Sequence, residues 1–86
     1  MPEISRFLGI IVSMYPEDYE PPHFHVRYEH HRAQISIPDF AVISGSLPGR
    51  VTSLVTEWAA EHTEDLVEEW RRATEGVPLF RIKPLI

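Results

Sequence analysis

Four of the five histidines of this chain lie within nine residues, from His23 to His31, in the segment EPPHFHVRYEHHRAQISI. His23 and His25 belong to a stretch in which apolar and polar residues alternate, which is typical of a β-strand. Their rings should therefore project from one side of the strand, with Cβ atoms about 6.5 to 7 Å apart. Two imidazoles at this separation can act as an acid–base pair or bind one metal ion.

Several other polar side chains are expected on the same side of the sheet. Histidine can move a proton near neutral pH, arginine binds phosphate through a planar fork, and tyrosine can orient a group or donate a proton. Such a set suits cleavage of an RNA backbone, in which a ribose 2′-hydroxyl loses a proton and the phosphate gains charge. The candidate catalytic residues are His23 and His25, and the candidate substrate-binding residues are Arg27, Arg32, Gln34 and Tyr15. Tyr15, like Ser13, joins this face only if the first strand pairs alongside.

Two other interpretations of these histidines stay open. The spacing of His23, His25 and Glu29, His-x-His-x3-Glu, resembles that of metal ligands in cupins. The glycine that opens the cupin motif and a second histidine motif are absent from this sequence. A third ligand from His30 or His31 would lie about three residues further along the hairpin, which strains the site, so we expect no metal and no cofactor. Alternatively, the histidines belong to the plain polar side of a half-buried strand, or to a surface that contacts a protein or nucleic acid.

The alternation in this segment predicts a β-hairpin with a two-residue turn at His30 and His31. In that register Tyr28 faces Ala33, and every apolar residue of both strands lies on one face of the hairpin. The turn is the weak point, because histidine is a poor substitute for the Asn-Gly pairs that such turns favour. A longer loop is therefore left open.

The remaining elements predict an α+β fold, an antiparallel meander of about four strands with helical structure on one face. Residues 7–15 indicate one interior strand with a bulge at Gly9, and residues 40–45 a short strand after a turn at Pro38 and Asp39. The chain is expected to form one domain over 1–86, with the meander in 1–45, a helical segment in 46–76 and an extended tail in 77–86.

The helical segment has apolar residues at spacings of three and four from Val51 to Ala73, with Trp58 and Trp70 among them. The pattern fits one kinked helix or two consecutive helices, the second capped by Thr63. Gly76 is a suitable C-cap. The tail contains enough apolar residues to pack as a short edge strand.

Composition restricts the function classes. The chain has 86 residues, no cysteine and a formal net charge of -5, so it lacks the basic surface of a protein that binds nucleic acid through bulk electrostatics. There is no apolar run long enough to span a membrane and no signal peptide. We therefore expect a cytoplasmic protein without membrane contact.

Four segments resemble a family of small bacterial proteins, the domain-of-unknown-function family 4160: MPEISRFLGI, PPHFHV, GSLPGR and EWAAEHTEDLVEEWRRA. The resemblance covers nearly the whole chain, and the PPHxHV motif is its most specific part. It implies a two-gene bacterial module, read in some cases as toxin and antitoxin, in which this protein is the toxin partner. It also implies that His30 and His31 matter less than His23 and His25, because glycine is common in that turn.

The leading hypothesis is a toxin-like component of a bacterial type II toxin–antitoxin pair that acts as a metal-independent ribonuclease or inhibits translation. Its partner would be the small protein encoded by the neighbouring gene, with RNA or the ribosome as a further partner. The alternative is a non-enzymatic interaction or regulatory module, even the antitoxin-side member, that binds its neighbour through the hairpin face. The sequence leaves homo-oligomers open.

Overall fold

Five strands form one antiparallel sheet whose spatial order follows the chain. The computed structural model describes residues 2–16 and 20–86. The strands are β1 Glu3–Phe7, β2 Ile10–Ser13, β3 His23–Tyr28, β4 His31–Ser36 and β5 Val42–Ser46, followed by helices α1 Gly49–Glu61 and α2 Thr63–Glu75. The predicted α+β meander is confirmed, although the sheet has five strands rather than about four, and of the two alternatives for the helical segment the structure has two consecutive helices.

The prediction of one strand over residues 7–15 is wrong, because the chain reverses at Leu8 and Gly9. Both residues have positive φ, 51° and 78°, as a type I′ turn between two antiparallel strands requires. Phe7 pairs with Ile10 across this turn. Because Leu8 continues the apolar run, the sequence pattern does not indicate a turn at this position.

The turn between β3 and β4 also differs from the prediction. It is formed by Glu29, with φ of 54°, and His30, and His31 is already the first residue of β4. Val26 consequently pairs with Ala33 rather than with Ile35. This shift moves the register by two residues, and an even shift keeps each side chain on its expected face.

The helices begin and end largely as predicted. α1 starts after Pro48, and the helical structure is interrupted at His62. α2 ends at Gly76, which adopts the left-handed conformation. Thr63 does not cap α2, because His62 occupies that position and the Thr63 hydroxyl donates to the carbonyl of Ala59 at 3.2 Å.

The two helices cover one face of the sheet, and Trp58 lies at the centre of the contact. Its side chain is fully buried, and its ring centroid is 5.6 Å from that of Phe7 and 6.0 Å from that of Phe24. The indole Nε1 donates to the carbonyl of Lys83 at 2.8 Å. Trp70 is also buried, so both tryptophans belong to the core.

The C-terminal tail packs against the domain without forming the predicted edge strand. A single ladder-like bond joins it to β1, from the amide of Ile82 to the carbonyl of Ile4 at 2.8 Å. The amide of Phe80 donates to Oε1 of Glu69 at 3.0 Å. Glu69 is fully buried, and burial raises the pKa of its carboxyl group, although the bond from Phe80 and the nearby Arg72 oppose that shift.

No helix among the described residues is both long and apolar enough to cross a membrane.

Candidate functional site

An open cleft with a volume of about 330 Å³ lies on the sheet face that the helices leave uncovered. Four neighbouring strands or their ends, from β2 to β5, supply its lining. The polar side chains that line it are Ser13, Tyr15, His25, Arg27, Arg32, Gln34 and Ser44. Five of the six residues predicted from the sequence therefore lie together, and His23 is the exception.

The strand register explains why these residues meet. Ser13 pairs with His25, His25 with Gln34 and Gln34 with Ser44, which places four polar side chains in one row across the sheet. Partners directly opposite one another in antiparallel strands have Cβ atoms about 4.5 to 5.5 Å apart. The row therefore brings hydroxyl, imidazole and amide groups within reach of one small ligand.

A second row, two residues further along each strand, carries the positive charge. Arg27 and Arg32 are direct partners in this row, and both are exposed. Neither forms an ion pair within the part of the chain that the structure describes. Like charges directly opposite one another destabilise a sheet, so a bound anion such as a phosphate would relieve a repulsion that the folded protein retains.

Removal of one of the two facing arginines should stabilise the fold. We expect Arg32→Gln to raise the free energy of unfolding by about 0.2–1 kcal/mol at low ionic strength, and the gain to shrink as salt screens the two charges. Urea unfolding followed by circular dichroism at low and high salt measures both effects.

Arg71→Gln is the matched control, because Arg71 forms ion pairs with Glu68 and Glu75. We expect that variant to lose stability rather than gain it. An Arg32→Gln variant less stable than the wild type at low salt would contradict the assignment of a retained repulsion.

His25 is the histidine that faces the cleft. It is half-buried, and its ring lies edge-to-face against that of Tyr15, with centroids 4.6 Å apart and planes at 84°. The buried hydroxyl of Ser13 has no hydrogen-bond partner among the described residues. The cleft thus combines an oriented imidazole with a phenol.

His23 does not line the cleft, although its ring lies beside that of His25, two residues further along the same strand. Only 2% of His23 is exposed. Its Nδ1 donates to the carbonyl of Pro21 at 2.8 Å, and its ring centroid is 5.4 Å from Trp70 and 5.2 Å from His25. Trp70 of α2 packs against this end of β3 and contributes to enclosing the side chain, a contact that no local pattern predicts.

The sequence did not predict the contribution of β5. Simple alternation would put Val42 and Ser44 on the same face, but the register shifts at Ile43, so Ser44 pairs with Gln34 while Val42 pairs with Ile35. Gly45, with φ of 75°, also lines the cleft, and a Cβ there would lie 2.1 Å from the carbonyl oxygen of Arg32. Only glycine lets β5 approach β4 this closely.

The turn histidines lie outside the cleft. The rings of His30 and His31 contact each other, with centroids 4.3 Å apart, and neither residue lines the cleft. Among residues 2–16 and 20–86, no three histidine, aspartate or glutamate side chains are grouped closely enough to bind one metal ion.

The fold and the cleft define a small α+β protein with a polar, arginine-bearing site on the open face of an antiparallel sheet. The chain belongs to the family described as Domain of unknown function (DUF4160), whose sequence profile matches residues 9–71, from the β1–β2 turn into α2. The family resemblance of the sequence is thereby confirmed. Comparisons with curated proteins and with solved structures found no match.

Proposed function

We propose that the protein is the toxin-like component of a bacterial toxin–antitoxin pair and that it cleaves RNA in the cytoplasm without a metal ion. The observation that carries the proposal is the direct pairing of Arg27 with Arg32 next to the row that contains His25. A phosphate bound by the two guanidinium groups would place the adjoining ribose over that row, because the rows are about 7 Å apart.

His25 acts as the general base in this reaction. It accepts the proton of the ribose 2′-hydroxyl, whose oxygen then attacks the adjacent phosphorus. The bond from phosphorus to the 5′-oxygen of the next nucleotide breaks, which leaves a 2′,3′-cyclic phosphate and a 5′-hydroxyl. The edge-to-face contact with Tyr15 restricts the orientation of the imidazole ring, which keeps it aimed at the substrate.

The arginines and Tyr15 complete the reaction. Arg27 and Arg32 stabilise the negative charge that accumulates on the phosphate oxygens in the transition state. The Tyr15 hydroxyl donates a proton to the departing 5′-oxygen. His23 contacts the ring of His25 but does not line the cleft, so it acts by positioning its neighbour rather than by touching RNA.

The acidity of the chain restricts where RNA can bind. With a formal net charge of -5, the surface as a whole repels a polyanion, and attraction depends on the local potential of the two arginines. Short single-stranded segments fit this requirement better than a long duplex, because they present one phosphate and its flanking nucleotides to the cleft.

Expression in a bacterial host tests this proposal. We expect the protein alone to arrest growth, co-expression with its gene neighbour to relieve the arrest, and His25→Ala to abolish it in protein that still accumulates in folded form. His30→Ala is the matched control, since His30 is an exposed histidine in the β3–β4 turn, and it should arrest growth like the wild type.

The outcomes separate the two hypotheses for this protein. Absence of arrest at full expression would overturn the toxin role. Full arrest by His25→Ala together with loss of arrest in an Arg27→Ala, Arg32→Ala double variant would overturn the assigned acid–base chemistry and favour a binding module that acts through the same face.

A further inference from the structure

β5 is an edge of the sheet, and β4 is its only partner strand among the residues that the structure describes. All five of its residues are exposed, including Val42 and Ile43, whose exposed fractions are 42% and 45%. An edge strand presents backbone amide and carbonyl groups that can pair with another strand. Exposed β-branched residues on such an edge add apolar surface to that pairing.

The opposite edge of the sheet is partly occupied by the chain itself. The amide of Ile82 donates to the carbonyl of Ile4 in β1, and the side chain of Ile82 is 4% exposed. A second molecule that brought its β5 to this edge would have to displace the tail. Head-to-tail growth of the sheet is therefore disfavoured, whereas among the described residues no strand other than β4 pairs with β5.

β5 also lacks the residues that usually prevent edge pairing. Residues 40–47, FAVISGSL, contain no charged residue and no proline, whereas lysine or proline commonly protects a solvent-exposed edge. In a chain with a net charge of -5, this is a segment where two copies can meet without opposing like charges.

We propose that β5 pairs in antiparallel fashion with β5 of a second copy of this chain, about a two-fold axis perpendicular to the sheet. Such an interface uses the same strand in both molecules and closes at two subunits. Val42 pairs with the buried Ile35, so its side chain lies on the helix side of the sheet. In the full antiparallel overlap of residues 42–46, Val42 would lie opposite Ser46 of the second copy.

The dimer would also complete the cleft. Ser44 and Gly45 of β5 form one boundary of the cleft, and a strand added beside them would extend that boundary with residues of the second copy. The perpendicular axis keeps both polar faces on the same side of a continuous sheet. Two clefts would thus open onto one surface, independently of which reaction either cleft performs.

Sedimentation velocity of the purified, untagged protein tests this inference. We expect a dimer, twice the 10.0 kDa chain mass, at a concentration of about 100 μM. A Val42→Lys, Ile43→Lys double variant should be monomeric, with a dimer dissociation constant raised at least about 100-fold, because lysines on an edge strand block its pairing. Its circular dichroism spectrum should match that of the wild type.

Val67→Lys is the matched control, because Val67 is an apolar residue on α2 that is 52% exposed. It removes a similar exposed apolar side chain from a different element, α2, and should leave the dimer intact. A monomeric wild type at that concentration would overturn the proposal, as would a dimer that survives the double variant or one that Val67→Lys disrupts.

Discussion

His25→Ala is expected to lower the rate of RNA cleavage by about 10²- to 10⁴-fold, the usual contribution of a positioned general base. The loss should appear mainly in kcat, because the 2′-hydroxyl is deprotonated only as the reaction proceeds, whereas phosphate binding by Arg27 and Arg32 is retained. Cleavage of a labelled single-stranded oligoribonucleotide, with analysis of the product ends, measures this effect.

Three controls define what the result means. His30→Ala should cleave at the wild-type rate, a substrate with a single 2′-deoxyribose at the scissile position should resist cleavage there, and the wild-type products should end in a 2′,3′-cyclic phosphate. A His25→Ala variant that cleaves as fast as the wild type would exclude His25 as the base. Products with a 3′-hydroxyl would exclude attack by the 2′-hydroxyl.

Trp58→Ala is expected to reduce the free energy of unfolding by about 3–5 kcal/mol, the range for truncation of a large buried aromatic side chain. The indole fills the space between α1 and the sheet, against Phe7 and Phe24. Its loss also leaves the carbonyl of Lys83 without its donor, which loosens the C-terminal tail. Small domains are stable by about 5–15 kcal/mol, so this one change removes a large part of the total.

Urea unfolding followed by far-ultraviolet circular dichroism measures this loss. Trp58→Phe keeps most of the ring and loses the hydrogen bond, so its cost should be smaller, about 1–2 kcal/mol, and it remains measurable if the alanine variant does not fold. Val67→Ala, at an exposed position of α2, should change the stability by less than about 0.5 kcal/mol. A Trp58→Phe variant that costs more than Trp58→Ala would contradict this account of the core.

The alternation of polar and apolar residues predicts the face of the sheet on which the site residues lie, but not their cross-strand partners. The predicted turn was one residue too late, and yet His25, Arg27, Arg32 and Gln34 lie on the expected face. A shift of two residues preserves every face but changes each cross-strand partner. The repulsive pairing of Arg27 with Arg32, on which the proposed phosphate site depends, follows from the actual turn and not from the predicted one.

The bulge at Ile43 in β5 also changes which residues face the cleft, and alternation alone does not predict it. Alternation alone assigns Val42 and Ser44 to one face, because the side chains of an ideal strand have a period of two. The extra residue reverses that assignment, so Ser44 reaches the cleft and Val42 faces the helix side. The sequence predicts that Gly45 ends a strand, but its close approach to the carbonyl of Arg32 depends on how two strands pack.

The sequence by itself determined the α+β class, the family resemblance, the end of the helical segment at Gly76 and the polar face that carries His25, because periodicity and capping residues act over a few neighbouring positions. Only the tertiary structure decided that the chain reverses at Leu8, that Tyr15 joins His25, and that His23 is buried. The reversal at Leu8 depends on the pairing of β1 with β2, and the other two depend on tertiary contacts: the ring of His23 lies against Trp70 of α2, 47 positions further along the chain. Local alternation shows which side of a strand a residue occupies, but tertiary packing decides whether that side is open.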